Sequence, residues 1–307
     1  MPLLVLAAQP AQAELPDPVR KMVEAAIESG DPTKVDAVVS VAKQTNPEDE
    51  AELDAMQAAF DAHRKELAAK EAKAKEAEIR SAGLLQRWRG KGQVGALQSS
   101  GNSNNVGVSV ALSLTREGID WSHRINAAAD YQKSNDVTSR EQYMLSYEPR
   151  YRINPRLFAY ALGQFEKDRF QGFSSRYSAS GGLGYKLLDS SGLKLSVKAG
   201  PAWRRTDFLT KESESTFAAL LGMDFDWAIS DRLSLTQDTS LVADAAGSAV
   251  AIIDSANTTI NLVTGLEAKV SDKLTTRLAY TVEYDSNPPE GAVSTDTLTR
   301  FTLVYGF

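Results

Sequence analysis

Residues Leu274–Tyr284 read LTTRLAYTVEY and alternate between two unlike sets of side chains. Every second residue from Leu274 is apolar or uncharged, whereas Arg277 and Glu283 both belong to the other set. A period of two predicts a β-strand with two different faces. A charge on the lipid face of a barrel costs about 2–4 kcal/mol for Arg or Lys near the bilayer midplane. The stretch therefore has the pattern of a transmembrane strand.

The same alternation recurs along the chain after Trp88 and predicts twelve strands. They are 90–98, 104–115, 119–132, 141–153, 157–168, 177–187, 193–205, 215–229, 233–243, 257–270, 274–285 and 297–307. Strands of globular sheets usually have about five or six residues, whereas a tilted strand that crosses a bilayer needs about nine to eleven. Strand length thus favours a membrane barrel.

The connections between these strands form two classes. Short turns begin at Arg116, Asn154, Asp189, Ser230 and Ser271, and longer segments cover 133–140, 169–176, 206–214, 244–256 and 286–296. Outer-membrane barrels keep short turns in the periplasm and longer loops outside. We expect an all-β membrane barrel of about twelve antiparallel up-and-down strands over 88–307, in the outer membrane of a Gram-negative bacterium with both termini periplasmic.

A soluble barrel with its apolar face inside is the alternative, because the period alone does not separate inside from outside. Aromatic residues near strand ends favour the membrane, where such residues form a girdle at each interface. The predicted interfacial aromatics are Trp121, Tyr151, Trp203, Trp227 and Tyr284. Outer-membrane lipid and lipopolysaccharide are then the expected surroundings.

The first 87 residues have a different composition. Residues 1–13, MPLLVLAAQPAQA, combine a short apolar run with an Ala-x-Ala pattern and predict a signal peptide; a frayed apolar end is the alternative. Residues 14–87 predict a helical periplasmic segment, with helix starts at Asp31–Pro32 and Asn46–Pro47. This segment acts as a spacer, or else binds a periplasmic partner as a coiled coil.

The overall composition excludes several classes of function. The chain has no cysteine, two histidines and a formal net charge of -6. Thiolate metal sites are therefore excluded, most transition-metal sites lack ligands, and no feature points to nucleic acid. We expect no cofactor and no catalytic or metal-binding residues.

The chain ends LTRFTLVYGF, with apolar residues alternating to a terminal phenylalanine. This ending resembles the C-terminal assembly signal that the barrel-assembly machinery recognises in bacterial outer-membrane proteins. Phe301, Leu303, Tyr305 and Phe307 are the matching positions. An unpaired strand edge is a liability until the first strand closes against it, so the last strand needs such a signal.

The start of the barrel resembles one family. Trp88-Arg89-Gly90 leads into a glycine-rich strand, and Ser100-Gly101-Asn102-Ser103 follows that strand. These motifs resemble the salt-induced outer-membrane protein family (YdiY-like, domain of unknown function 481), with Ser103 in a position where the family has threonine. The resemblance covers Trp88–Phe307. It implies an outer-membrane barrel without an assigned activity that takes part in the response to salt or osmotic stress.

The face opposite the apolar one carries charges of both signs. The predicted lumen charges are Arg124, Glu148, Arg150, Lys198, Asp224, Asp226, Glu267, Arg277, Glu283 and Arg300. Mixed signs favour mutual pairing and a narrow lumen, and a small-solute or ion channel is the alternative. A third hypothesis is a lipid hydrolase built on His123, but Ile125 stands where a neighbouring serine would be needed. We therefore expect no enzyme.

Overall fold

The computed structural model describes residues 15–100, 105–134, 137–245, 255–288 and 293–307. The predicted signal peptide, 1–13, and the Gly101–Ser103 part of the family motif lie outside these ranges. The chain forms two compact units that divide between Ser81 and Ala82.

The first unit is helical. It contains α1 (Asp17–Glu28), α2 (Pro32–Thr45), a 3-10 turn (Pro47–Asp49) and α3 (Glu50–Ser81). The side chain of Asp31 accepts a hydrogen bond of 3.0 Å from the backbone N–H of Thr33 and caps α2 at the predicted start. None of the helices among the described residues is both long and apolar enough to cross a membrane.

The helical unit has its own apolar core, which covers only half of α3. Val23, Val35, Val39 and Leu53 are almost completely buried in this core. The second half of α3 is exposed and carries i,i+4 ion pairs, for example Lys70–Glu66 at 2.8 Å. Such pairs each stabilise an exposed helix by only about 0.2–0.5 kcal/mol.

The second unit is a closed barrel in which each strand pairs antiparallel with its neighbours in sequence, and β1 pairs with β12. The strands are β1 (Trp88–Ser100), β2 (Asn105–Glu117), β3 (Trp121–Ser134), β4 (Val137–Arg152), β5 (Leu157–Asp168), β6 (Phe173–Asp189), β7 (Leu193–Phe208), β8 (Glu214–Ala228), β9 (Leu233–Ala245), β10 (Ser255–Lys269), β11 (Leu274–Asp285) and β12 (Thr295–Gly306). The predicted twelve-stranded up-and-down barrel after a helical segment is confirmed.

Both termini of the barrel lie at one end, together with the short turns 118–120, 153–156, 190–192, 229–232 and 270–273. We call this the turn end, and the opposite end the loop end. The predicted difference in connection length is only partly correct. The loop-end connection between β3 and β4 comprises only 135–136, and that between β5 and β6 only 169–172, whereas 246–254 and 286–294 are long.

The error arises because several strands extend further toward the loop end than the sequence predicts. β4 begins at Val137 instead of 141, and β6 at Phe173 instead of 177. The polar run Ser174–Arg176 resembles a loop in sequence. In the barrel, Phe173 is only 1% exposed, and the guanidinium of Arg176 lies over its ring at 4.0 Å.

Alternate residues face inward and outward all around the barrel. Large apolar side chains on the outward face remain exposed, such as Phe217 (69%), Phe301 (55%) and Leu278 (49%). Outward-facing charges such as Lys167 and Arg205 lie close to the loop ends of their strands. An uncharged apolar belt therefore surrounds the barrel between its two ends.

The backbones of β6 and β7 approach each other closely at one point in the wall. A Cβ on Gly182 would lie 2.1 Å from the carbonyl oxygen of Ala199, and one on Gly200 would lie 2.2 Å from that of Gly181. Pro201 follows, and it has no N–H for the ladder. The hydroxyl of Ser180 donates to the Pro201 carbonyl at 3.0 Å. Only glycine permits this close approach of two backbones.

Candidate functional site in the barrel interior

A layer of charged side chains crosses the interior near the turn end. Arg150 on β4 donates to Asp224 on β8 at 2.7 Å and also to Glu148. Lys198 on β7 donates to the other oxygen of Glu148, and Arg124 on β3 lies 3.8 Å from Asp224. We call these five residues the turn-end cluster. They join strands that are not neighbours, so their side chains span the lumen.

Aromatic rings support this cluster. The Arg150 guanidinium lies 4.9 Å from the centre of the Phe158 ring, and the Lys198 ammonium lies 5.4 Å from that of Tyr160. Phe158 and Tyr160 face inward from β5 and are each 5% exposed. Cations over aromatic faces gain a further electrostatic attraction, so the rings hold both cations in place.

A second, smaller group lies on the other side of the barrel. Arg277 on β11 is 3.5 Å from Glu267 on β10, and Lys91 on β1 is 3.8 Å from the other oxygen of Glu267. Charges of both signs thus pair here as well.

Further ion pairs lie toward the loop end. Arg300 on β12 donates to Asp130 on β3, and Arg140 lies 4.0 Å from the same carboxylate. Arg204 on β7 pairs with Asp244 on β9 at 3.2 Å. These residues are almost completely enclosed by the barrel, apart from the partly exposed Arg300.

Gln171 belongs to the 169–172 connection and reaches over the loop end. Its side-chain amide donates to Glu283 on β11 at 2.8 Å. The carboxylate of Asp168 accepts from the backbone N–H groups of Phe170 and Gln171 at 3.0 and 3.1 Å, which fixes the connection in this conformation. Part of the loop-end opening is therefore covered.

A cavity of about 490 Å³ extends between these layers. We call it the chamber. It reaches the loop end at Pro288, Ser294 and Asp296, and none of the described residues that line it belongs to the turn-end cluster. The chamber therefore opens at the loop end and lies on the loop-end side of the turn-end cluster.

The walls of the chamber differ in polarity. Leu162, Ala202, Leu220 and Val242, on β5 and β7–β9, belong to or pack against an interior hydrophobic cluster and form an apolar wall. Hydroxyl and amide side chains line the chamber from β1–β4 and β10, and further ones come from β5, β6 and β9. The first set is Gln93, Ser109, Ser113, Asn126, Gln142 and Asn261, and the second is Gln164, Ser178, Ser180 and Ser240.

The predicted lumen charges lie on inward-facing positions of their strands. Nine of the ten take part in the pairs described above. They are Arg124, Glu148, Arg150, Lys198, Asp224, Glu267, Arg277, Glu283 and Arg300. Asp226 is the tenth and is exposed at the turn end.

The interior charges that the predicted lumen set lacks include Arg140, Glu166, Arg176 and Asp244. Three of them lie just beyond the limits of strands that the sequence predicts too short. Arg140 precedes the predicted start at 141, Arg176 precedes the start at 177, and Asp244 follows the end at 243. A usable signal was that Arg140, Arg176 and Asp244 continue the inward-facing alternation of their strands past those limits.

The predicted interfacial aromatics are partly exposed on the outward face. Trp121, Tyr151 and Trp227 lie near the turn end, and Trp203 and Tyr284 lie nearer the loop end. Their exposed fractions fall between 37% and 49%. They thus occupy two levels on the outside of the barrel.

His123 belongs to the same outward-facing aromatic group. Its Nδ1 lies 2.9 Å from the hydroxyl of Tyr147, and its ring stacks on the rings of Trp121 and Tyr147. This partner is a phenol and not the serine that a hydrolase would require. Among the described residues, no group of three or more His, Asp or Glu is arranged to hold a metal ion.

Comparison with known families identifies the barrel. Residues 92–307 match the family described as a protein of unknown function, DUF481. The chain belongs to this family. The resemblance seen at Trp88–Gly90 and after the first strand is thereby confirmed at the level of the family.

One relative is the uncharacterised protein YdiY of Escherichia coli (strain K12), 23% identical over 219 residues, which cover 71% of this chain and 82% of YdiY. Solved structures with a similar fold include the NanC porin (10% identity, 71% and 98% of the two chains, TM-score 0.46). Another is the translocator domain of the autotransporter NalP from Neisseria meningitidis (13% identity, 80% of this chain and 97% of that domain, TM-score 0.43). A third is the COG4313 outer membrane channel from Pseudomonas putida F1 (12% identity, 72% of this chain and 94% of that channel, TM-score 0.42).

Proposed function

We propose that this DUF481 protein is an outer-membrane β-barrel whose narrow, charged lumen is closed at the turn end, with that end and both termini in the periplasm. The turn-end cluster is the observation that carries the proposal. Its cations and carboxylates meet across the interior, and aromatic rings hold them. In this role the protein is not an enzyme.

The outward apolar belt supports the membrane location. In a soluble barrel, the outward side chains of Phe217, Phe301 and Leu278 would expose large apolar surfaces to water. In a membrane, the same side chains contact lipid, at no such cost. The aromatic residues at two levels match the girdles that flank the apolar band of such barrels. Of the assembly signal, Phe301, Leu303 and Tyr305 lie in β12, which pairs with β1, and Phe307 follows directly after it. Insertion by the barrel-assembly machinery is part of the proposal.

Orientation leads to the first prediction. An epitope inserted at Asn287 in the 286–294 connection should be labelled by antibody on intact cells, because long loops of such barrels face outward. The matched control is the same epitope at Asp272, whose side chain is 98% exposed in a short turn, and this site should be labelled only after permeabilisation. The opposite labelling pattern would reverse the orientation.

Closure of the lumen leads to the second prediction. We expect the refolded protein to show no steady conductance in planar bilayers, because the turn-end cluster occludes the passage. The double variant Arg150→Ala/Asp224→Ala removes both members of the cross-barrel pair and leaves Glu148 with Lys198. It should produce discrete open steps. The control Arg205→Ala removes an outward arginine of a surface ion pair and should remain silent.

A small-solute or ion channel is the second candidate function, and the chamber favours it because it already provides about 490 Å³ of passage from the loop end. A stable conductance in the wild-type protein would establish this alternative and contradict closure. A lipid hydrolase lacks support, since His123 has tyrosine and tryptophan neighbours.

A role in the envelope under salt or osmotic stress is the physiological part of the proposal. The family resemblance at Trp88–Gly90 suggests it. Growth of a strain that lacks the gene, measured against its parent over a range of salt concentrations, tests this part. The helical unit serves as a periplasmic spacer or as a surface for a periplasmic partner.

A further inference from the structure

We propose that the chamber is a binding site for a neutral saccharide, which enters from the loop end. The inference rests on the proposed closure at the turn end, since a closed cup retains a ligand that an open pore would pass. Its volume of about 490 Å³ lies in the range of small-molecule sites, about 300–1,000 Å³.

The charges of the chamber argue against an anionic ligand. Four arginines among the described lining residues each pair with a carboxylate. The pairs are Arg176–Glu166, Arg204–Asp244, Arg277–Glu267 and Arg300–Asp130. A carboxylate or phosphate ligand would have to share these arginines with the carboxylates that already neutralise them. Acidic side chains at the loop end, Glu283, Asp285 and Asp296, would repel it further.

The middle of the chamber argues for a ligand that carries many hydroxyl groups. Hydroxyl and amide side chains both donate and accept hydrogen bonds, as sugar hydroxyls do. Ser109 and Ser113 on β2, Asn126 on β3 and Asn261 on β10 provide such groups from three strands on one side. Asn261 is exposed within the lumen and available to a solute.

The opposite wall suits the other surface of a sugar ring. Leu162, Leu220 and Val242 present aliphatic groups there. A pyranose has C–H groups on its faces and hydroxyls around its edge, so it can contact the apolar wall with a face and the polar wall with its edge. A fully apolar ligand would exclude water from polar groups such as the Asn261 amide without offering them a hydrogen bond, which is unfavourable.

The test uses saturation-transfer NMR on the full chain in an amine-oxide detergent, because glycoside detergents would compete for the site. Maltose, lactose and methyl glucoside are the neutral probes. Methyl glucuronide is the matched anion, since it differs from methyl glucoside by one carboxylate. We expect transfer to at least one neutral disaccharide, and at least about tenfold weaker binding of the glucuronide than of the glucoside, because a buried unpaired charge is costly.

Two variants locate the site. Ala111→Phe fills the chamber from β2, and Asn261→Leu removes a polar group without reducing the size of the side chain. Both should lower sugar binding about tenfold or more if the lost packing and hydrogen bonds carry about 1.4 kcal/mol. Asp226→Asn, outside the chamber at the turn end, is the control and should bind like the wild type. Heat-modifiable migration on gels shows whether each variant is folded.

The outcomes separate this proposal from the closure of the turn end. Sugar binding together with steady conductance would refute closure and leave the site intact. Binding of the glucuronide as tight as that of the glucoside would overturn the neutral ligand class. The saccharide site would be overturned if a non-conducting barrel transferred no saturation to any neutral sugar. It would also be overturned if the Ala111→Phe variant bound the sugar as well as the wild type does.

Discussion

Leu278→Arg is expected to lower the free energy of unfolding of the barrel in lipid by about 2–4 kcal/mol, the cost of an arginine on the lipid face near the bilayer midplane. Leu278 faces outward from β11 and is 49% exposed. Its neighbours across the ladder are Leu266 and Phe301, so no carboxylate lies beside it to pair with the new charge. Urea titration of the protein refolded into vesicles measures the effect.

Arg277→Leu is the matched control, because it makes the reverse exchange of arginine and leucine at the preceding residue. That residue lies on the opposite face of β11. Glu267 then loses Arg277 at 3.5 Å but keeps Lys91 at 3.8 Å. We therefore expect a smaller loss of stability than for Leu278→Arg. If Arg277→Leu lowers the stability more than Leu278→Arg does, the two faces are assigned the wrong way round. The proposed membrane location would then be wrong as well.

The sequence predicts the wall of this barrel better than its interior. Alternation depends on each strand alone, so Leu278 and Arg277 can be assigned to opposite faces without knowledge of the fold. The tight approach of Gly182 and Gly200 has no comparable signal, because a glycine in a strand can also mark a bulge or simply a weak position.

Pairing across the lumen is not encoded locally. The period places Arg150 and Asp224 on the inward face, but strand tilt and stagger decide which inward side chains meet. Glu148 could equally have paired with Arg124 on the neighbouring strand, where the two residues are directly opposite. In the structure it contacts Arg150 and Lys198, and the cluster that carries the proposed closure emerges only from the closed barrel.

The C-terminal phenylalanine also has a partner that the sequence does not reveal. Gly90 and Phe307 exchange two backbone hydrogen bonds, at 2.8 and 2.9 Å, where β1 closes against β12. The Phe307 ring lies over Gly90, where a Cβ would come within 2.2 Å of the ring atoms. Closure of the barrel thus places the last aromatic ring against a residue without a side chain.

Phe307→Ala and Gly90→Val are therefore expected to fail in related ways. Phe307→Ala removes the recognition residue and should lose most of the barrel from the outer membrane in vivo. Gly90→Val keeps that residue but displaces its ring, and overpacking of this kind costs about 1–3 kcal/mol. The closing seam should then be less stable after refolding in lipid, and the outer-membrane yield should fall as well.

Gly92→Val is the control, because Gly92 lies on the same strand and the same outward face as Gly90. A Cβ at Gly92 would meet no atom within 4 Å. Valine also favours strands, so this change should be neutral or slightly stabilising. The double variant Gly90→Val/Phe307→Ala separates the two roles. If the ring acts in the folded barrel through Gly90, the double variant refolds with the stability of Phe307→Ala alone, because valine then has no ring to displace. If Gly90→Val costs the same stability with and without the ring, the contact does not hold the seam, and Phe307 serves assembly alone.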